Sequence, residues 1–348
     1  MYNHSEGIND VTMNPTAMQQ VALPECLYLE VTNRCNLRCR ACVHYRGMPE
    51  APRDLSFDEV MRVADQVPGL KRAVLHGIGE PLLNKELPRI IRSLKDRGVH
   101  VLFNSNGLLL SPELARELVA SGLDEFRVSL DAATESTYAA VRGAERFSEV
   151  MKNLAVLIGT RKQGARPRPY VSAWMVGTLE NVRDLPDMIR LASQAEIDEV
   201  YLQRLVYPLD GPGYGLAERG KAISISMEEV RKIVDRGTEL SRQLNVRLTA
   251  SGLAAPGESL CREPRGKAPW RRCKRPWEVA YMTAWGNLLP CCIAPFSTLD
   301  YDSLVLGNVF DEGFAEVWKG GKYQEFRKRH QSSSPPESCR GCGVEWSI

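Results

Sequence analysis

No apolar stretch of the 348 residues is long enough to span a bilayer. The opening segment, Met1–Pro24, has neither the basic start nor the apolar stretch of a secretory signal. These two absences argue against a membrane partner and for a cytoplasmic location, with residues 1–24 as a flexible arm. An excess of one charge is missing too. The 45 Lys and Arg are set against 43 Asp and Glu, leaving a formal net charge of +2, so no nucleic-acid partner is expected. Repeats and low-complexity tracts are absent apart from Ser332–Pro336, which reads as a loop. Cysteine is not scarce. Ten of them without an export signal point to a metal protein rather than a disulfide scaffold.

Short apolar runs alternate with amphipathic stretches from residue 27 to about residue 206. Strands are expected at Leu27–Thr32, Ala73–His76, Val99–Ser105, Glu125–Leu130, Tyr170–Val176 and Glu199–Val206. Helices are expected near Ser56–Val67, Glu86–Arg97, Pro112–Ala120, Phe147–Lys162 and Val182–Gln194. Ser56 and Glu59 form a capping-box pattern for the first. Six βα repeats predict a parallel sheet with right-handed crossovers. A closed eight-stranded barrel needs more chain, so an α/β fold with an open, partial (β/α)6 barrel is expected. A helix near Met227–Leu244 and a strand at Val246–Ala250 follow. The Pro-, Gly- and Arg-rich stretch Ala255–Pro276 then suggests a boundary, giving a barrel with its linking helix over 25–255 and a small cysteine-rich unit over 256–348.

The first strand leads into Cys35-Asn36-Leu37-Arg38-Cys39-Arg40-Ala41-Cys42, a Cys-x3-Cys-x2-Cys spacing. Three thiolates on one loop suit three irons of a [4Fe–4S] cluster. Zinc sites instead favour paired Cys-x2-Cys clips. The segment resembles the signature of the radical S-adenosylmethionine (SAM) enzymes. That resemblance implies a partial (β/α)6 TIM-like barrel, Cys35, Cys39 and Cys42 as cluster ligands, and SAM on the open iron as the source of a hydrogen-abstracting radical. Further segments fall in the order such enzymes show. Gly77-Ile78-Gly79-Glu80-Pro81 is similar to their Gly-Gly-Glu-Pro loop, with Ile78 where glycine is usual. Asn104, Ser105 and Asn106 end the third strand, Ser129 and Asp131 the fourth, and Arg142-Gly143 follows. The resemblance gives these positions to SAM. Ala41 departs from the aromatic residue usual before the last cysteine.

A second set of cysteines lies near the C-terminus: Cys273, Cys291 with adjacent Cys292, and Cys339-Arg340-Gly341-Cys342. The run from Cys273 to Cys292 resembles the start of a SPASM domain. The chain has too few cysteines for that domain's two auxiliary clusters and is similar to its shortened twitch form, which holds one. Cys273, Cys291, Cys339 and Cys342 then supply four ligands to a second [4Fe–4S] cluster. The same thiolates would also suit a structural zinc site. Cys292 should point away from Cys291 if the segment is extended.

An auxiliary cluster without an open iron suits electron transfer. The combination resembles carbohydrate-modifying members of antibiotic pathways, such as the dehydrogenases of 2-deoxy-scyllo-inosamine. It implies oxidation of an alcohol to a ketone on a carbohydrate-like small molecule, with a flavodoxin or ferredoxin-type electron donor. Epimerisation or 1,2-diol dehydration of a sugar or sugar nucleoside would share the first step. Maturation of a peptide is the alternative from another class; the short stretch before the first strand weighs against a leader-binding domain there. Candidate pocket residues are Glu30 on the first strand and Gln203 and Arg204 at the end of the sixth, with Tyr207 and Tyr214 beyond. Cys261 and Cys292 are candidate hydrogen donors.

Overall fold

The computed structural model describes residues 21–39, 42, 44, 50–164, 167–204, 225–251, 255–260, 268–297, 300–340 and 342. Its centre is a nine-stranded sheet: β1 (Cys26–Leu29), β2 (Arg72–Val74), β3 (His100–Ser105), β4 (Glu125–Ser129), β5 (Tyr170–Gly177), β6 (Glu199–Arg204), β7 (Arg247–Ala250), β8 (Val279–Met282) and β9 (Leu288–Leu289). The spatial order is β7-β6-β5-β4-β3-β2-β1-β8-β9. All pairings are parallel except that of β8 with β9.

The helices of the crossovers are α1 (Phe57–Asp65), α2 (Leu87–Asp96), α3 (Pro112–Ala120), α4 (Glu135–Arg142), α5 (Phe147–Lys162), α6 (Leu185–Gln194) and α7 (Met227–Gln243). The expected capping box starts α1. Ser56 Oγ accepts from Glu59 N and the Glu59 carboxylate accepts from Ser56 N at 2.8 Å. The α/β fold with a partial TIM-like barrel is thus present, enlarged beyond six strands. The stretch around Val246 forms β7, parallel to β6 in the same sheet. Helix α4 was not anticipated. Its signals are Thr134, whose hydroxyl accepts from Thr137 N, and Gly143, which ends it at φ 72°. Glycine reaches that conformation at little cost.

Strand alternation separates two environments. On β4, Phe126 and Val128 face outward into the fully buried apolar layer beneath the helices, with Leu27, Val101, Val171 and Val200. Glu125, Arg127 and Ser129 face inward and line a cavity of about 1180 Å³. The barrel therefore has an apolar rind and a lumen whose wall mixes charged, polar and aromatic side chains.

The C-terminal segment joins the barrel through its sheet. β8 lies against β1 in the register Leu27↔Ala280, so it covers the edge that β1 would otherwise expose. Two helices follow, α8 (Phe314–Lys319) and α9 (Gly321–His330). Arg327 of α9 is buried, donates to Pro276 O and Trp318 O at 2.8 Å, and stacks on the Trp318 and Tyr323 rings. Trp318 in turn donates to Ala22 O at 2.9 Å, tying the segment just before β1 to the C-terminal helices. No described helix is long and apolar enough to cross a membrane.

Candidate functional site

The three-cysteine loop leaves the carboxyl end of β1 and is tied at its neck. Asn33 Nδ2 donates to Ala51 O at 2.8 Å and Arg53 N donates back to Asn33 Oδ1 at 2.7 Å. Thr32 Oγ1 donates to Asp54 at 2.6 Å, and Arg34 grips the same carboxylate with two nitrogens. The neck brings Cys35, Cys39 and Cys42 within electrostatic range of one another. Burial, and then Glu80, Cys42 and Cys39, push the Cys35 thiol up to about 12. Cys42 N donates to Cys39 O at 3.0 Å. Crowded buried thiols of this kind favour a cationic core that lets them ionise. Cys39 and Cys42 open onto the lumen.

The glycine loop lies against this neck. Glu80 N donates to Arg34 O at 2.8 Å. A side chain on Gly79 would run into the Thr32 and Arg34 carbonyls, well inside van der Waals contact. Glycine here permits close backbone approach. The Glu80 carboxylate is buried and spent within the fold, accepting from Ser105 Oγ (2.8 Å), Leu82 N (3.1 Å) and Asn106 N (2.7 Å). Ser105 and Asn106 thus brace the loop. Asn106 also reaches Asn36 at 2.7 Å, inside the cysteine loop. None of Glu80, Pro81, Ser105, Asn106 or Gly79 lines the cavity, whereas Gly77, Asn104, Ser129, Asp131 and Arg142 do.

Asp131 sits at φ 59° and accepts from Val176 N at 2.6 Å. Its other oxygen pairs with Arg142. Arg142 also points a nitrogen at Cys39 Sγ, 3.9 Å away. Asp131 and Cys39 hold its guanidinium above the usual range, against the opposing effect of burial. Its Nε, and Asn104 Oδ1, are buried without a hydrogen-bond partner. Both belong to residues of the cavity wall, where a polar ligand would satisfy them.

His76, at the end of β2, belongs to the site although only its neighbours were singled out from sequence. Its Nδ1 accepts from Asn104 N at 3.1 Å, which leaves the Nε2 proton for the lumen. Burial, with Arg127 adding to it, pulls this imidazole down to about 3. Lower in the lumen, Trp174 and Tyr201 stack with centroids 3.9 Å apart, and Arg127 lies over Trp174 at 4.8 Å. The amino end is floored by ion pairs. Lys95 and Arg168 meet Asp124, while Arg127 and His100 meet Glu125.

Cys291 follows two residues after β9. Burial pushes its thiol up to about 12, with Cys292 and Cys273 contributing. Cys339 and Cys342 are raised by burial and then by Cys291, Cys273 and, for Cys342, Cys339. Cys273 and Cys291 thus both act on Cys339 and Cys342, and thiols are the donor chemistry of an iron–sulfur cluster. Cys292 lines the lumen with Arg275, Ile293 and Phe296, although the segment is not extended as expected but a turn, in which Ala294 N donates to Cys291 O at 3.2 Å. Cys26 and Tyr28 on β1 line the same region; burial, with Cys292 adding to it, pushes the Cys26 thiol up to about 11, and Cys292 together with burial raises the Tyr28 hydroxyl. The lumen thus runs from Cys39 and Cys42 at one end to Cys292, the neighbour of Cys291, at the other.

Gln203 lines the lumen. Arg204 closes β6, its side chain lying outside the described residues, as do Cys261, Tyr207 and Tyr214. Glu30 is 1% exposed and does not line the cavity. Its oxygens accept from Ile78 N, Tyr281 Oη and Ala284 N. Burial pushes this carboxyl up to about 7. A carboxyl so enclosed is placed to hold the backbone, not to meet a substrate in the lumen.

Residues 29–192 match the radical SAM superfamily, and residues 273–343 match SPASM, an iron–sulfur cluster-binding domain. A tungsten-containing aldehyde ferredoxin oxidoreductase cofactor-modifying protein of Pyrococcus furiosus is 25% identical over 91% of this chain and 87% of its own. The mycofactocin maturase MftC of Mycolicibacterium smegmatis is 26% identical over 92% of this chain and 76% of its own. Among solved structures, Streptococcus suis SuiB bound to S-adenosylmethionine superposes with a TM-score of 0.68 at 15% identity, covering 88% of this chain and 68% of that one. This last likeness concerns fold alone.

Proposed function

Since the chain belongs to the radical SAM superfamily and carries a SPASM domain, its cofactors are S-adenosylmethionine and [4Fe–4S] clusters, and we propose that it oxidises a substrate held in the barrel lumen. We assign Cys35, Cys39 and Cys42 to the cluster that binds SAM, and Cys273, Cys291, Cys339 and Cys342 to an auxiliary cluster. When bound, these groups supply a reductant for SAM, a radical that takes a hydrogen atom, and a one-electron acceptor. The observation that carries the reading is a single lumen whose wall includes Cys39 and Cys42 of the first set and Cys292, the chain neighbour of Cys291 of the second. A substrate there would face the first thiol set directly and approach the second through the Cys291–Cys292 segment.

The protein's own residues then have distinct parts. Arg142, held by Asp131, offers a guanidinium beside Cys39 that suits the SAM carboxylate. Gly77, on the cavity wall, lets the loop backbone approach the amine. Asn104 and Ser129 offer polar atoms to ribose. The His76 Nε2 proton and Gln203 supply hydrogen bonds to substrate, and Trp174 with Tyr201 gives a flat apolar wall. Cys292 is the side chain best placed to return a hydrogen atom if the reaction is redox-neutral.

The charged and hydrogen-bonding side chains within the lumen, Arg127, His76 and Gln203 among them, support a compact hydroxylated substrate, carbohydrate-like, with an alcohol oxidised to a ketone. The names of relatives that match along most of their length, a cofactor-modifying protein and a peptide cyclase among them, favour a second reading, in which a cofactor precursor or a peptide is the substrate instead. A flavodoxin or ferredoxin is the expected electron donor in both.

The test begins with iron and sulfide per chain after anaerobic reconstitution. About eight irons, falling to about four in Cys339→Ala/Cys342→Ala, is the expected result. About four in both, with zinc present, would overturn the auxiliary cluster. Sugar alcohols and peptides are then offered separately in D2O. One 5′-deoxyadenosine per ketone without solvent deuterium supports the first reading. Turnover of peptides alone moves the assignment to the second, and solvent deuterium at an inverted carbon would indicate epimerisation.

A further inference from the structure

Two carboxylates of the barrel reach across to the β8–β9 hairpin, and neither belongs to the lumen wall. Glu30, just past β1, accepts from Ile78 N at 2.8 Å in the glycine loop, from Tyr281 Oη at 3.1 Å on β8 and from Ala284 N at 3.2 Å in the hairpin turn. A side chain on Gly77 would collide with the Glu30 carboxylate and the Tyr281 hydroxyl, so the loop is seated directly on this junction. Glu50 stands where the chain returns from the three-cysteine loop. Its Oε1 accepts from Thr283 Oγ1 (3.0 Å), Asn287 Nδ2 (2.7 Å) and Tyr301 Oη (2.6 Å), all from the C-terminal segment. Next to it, Trp285 Nε1 donates to Ala51 O at 2.8 Å and Arg53 lies over the Trp285 ring at 4.9 Å. Ala51 O is also the acceptor of Asn33 Nδ2, two residues before Cys35.

The hairpin therefore touches both backbone segments that flank the three cysteines. We propose that the β8–β9 hairpin sets the geometry of the SAM-binding loops, with Glu30 and Glu50 as the positioning residues through which it acts. The inference rests on the assignment of Cys35, Cys39 and Cys42 to the SAM-binding cluster. Neither glutamate touches the reacting groups. Each fixes a loop relative to a strand that enters the sheet from the far end of the chain. The arrangement makes the C-terminal segment a part of the SAM site as well as a second thiol site.

The reconstituted full-length enzyme tests this through the electron paramagnetic resonance spectrum of the reduced N-terminal cluster, recorded without and with SAM. All three donors meet one oxygen of Glu50, which glutamine also possesses, so Glu50→Gln should keep the wild-type response to SAM. Glu50→Ala should retain its iron yet show an altered SAM-dependent spectrum. Its kcat/KM for SAM should fall roughly 10- to 100-fold, as for a small displacement of a reacting group, with the rise in KM dominant. Should Glu50→Ala lose its cluster, Tyr301→Phe removes a single donor from the C-terminal side. It should show the same change to a smaller degree. A lowered melting temperature with wild-type spectra and KM in both variants would overturn the proposal, leaving the carboxylate a mere structural tie. If the wild type itself showed no spectral response to SAM, the cluster assignment would fail instead.

Discussion

A methyl group at residue 79 has nowhere to go. The Thr32 and Arg34 carbonyls occupy the position of a Gly79 Cβ, so Gly79→Ala must separate the glycine loop from the cysteine loop. The expected outcome is about four irons per chain instead of about eight, the C-terminal set being retained. Arg142 presents a different case. Removing it by Arg142→Met leaves Asp131, 6% exposed, with its charge unpaired. Loss of one partner of a buried pair costs about 3–5 kcal/mol, readable in denaturant unfolding, and SAM affinity should fall with it. Two further residues give opposite responses to pH. The His76 ring, depressed to about 3 from 6.5, contributes stability that is complete above pH 6.5 and is lost as pH falls toward 3. Glu30, raised from 4.5 to about 7, contributes stability that is complete below pH 4.5 and is lost as pH rises through 7. The melting temperature of Glu30→Gln relative to wild type should therefore rise as pH is taken from below 4.5 to above 7. The cysteines were legible because their spacing is itself the chemistry. His76 was not, since a lone histidine at a strand end carries no spacing to interpret. Glu30 could be located on its strand, but whether its carboxyl faced the lumen or a neighbouring backbone depended on β8, some 250 residues away.

At the level of elements, local signals carried well where they were self-contained. The Ser56–Glu59 reciprocal cap, and the bounds of α3 and α5, follow from short-range patterns. Ser56→Ala should cost about 1 kcal/mol in unfolding free energy, the usual size for a lost cap. Helix α4 escaped notice because it has eight residues and buries little beyond Tyr138, too short a stretch for a clear period. The pairing of β8 with β1 was also beyond sequence. Nothing in Val279–Met282 specifies a partner, and parallel partners are chosen by the fold as a whole. The pairing has a measurable consequence. A chain ending before Cys273 should leave the β1 edge open, and should elute as aggregate where the full-length protein elutes as a discrete species.

Across the whole molecule, the sheet puts chemistry inside and apolar packing outside, and its two ends differ. The carboxyl end carries the three-cysteine loop, while the amino end is shut by Asp124 and Glu125 with Lys95, Arg168, Arg127 and His100. His100 and Arg127 depress Glu125 to about 2 against the cost of its burial, so its stabilising contribution holds above pH 4.5 and is lost only as pH falls toward 2. The position of β8 also bears on how the protein is made. β1 is synthesised well before its second neighbour, which lies about 250 residues downstream. At roughly 5–20 residues per second, that partner arrives some 10–50 s later. Until then the three cysteines hang from a strand with one side unpaired and a neck that lacks its Glu50 anchor. Iron delivered during synthesis would meet an unfinished loop. Assembly of a cluster on Cys35, Cys39 and Cys42 should thus wait until the β8–β9 segment that braces their loop has been made.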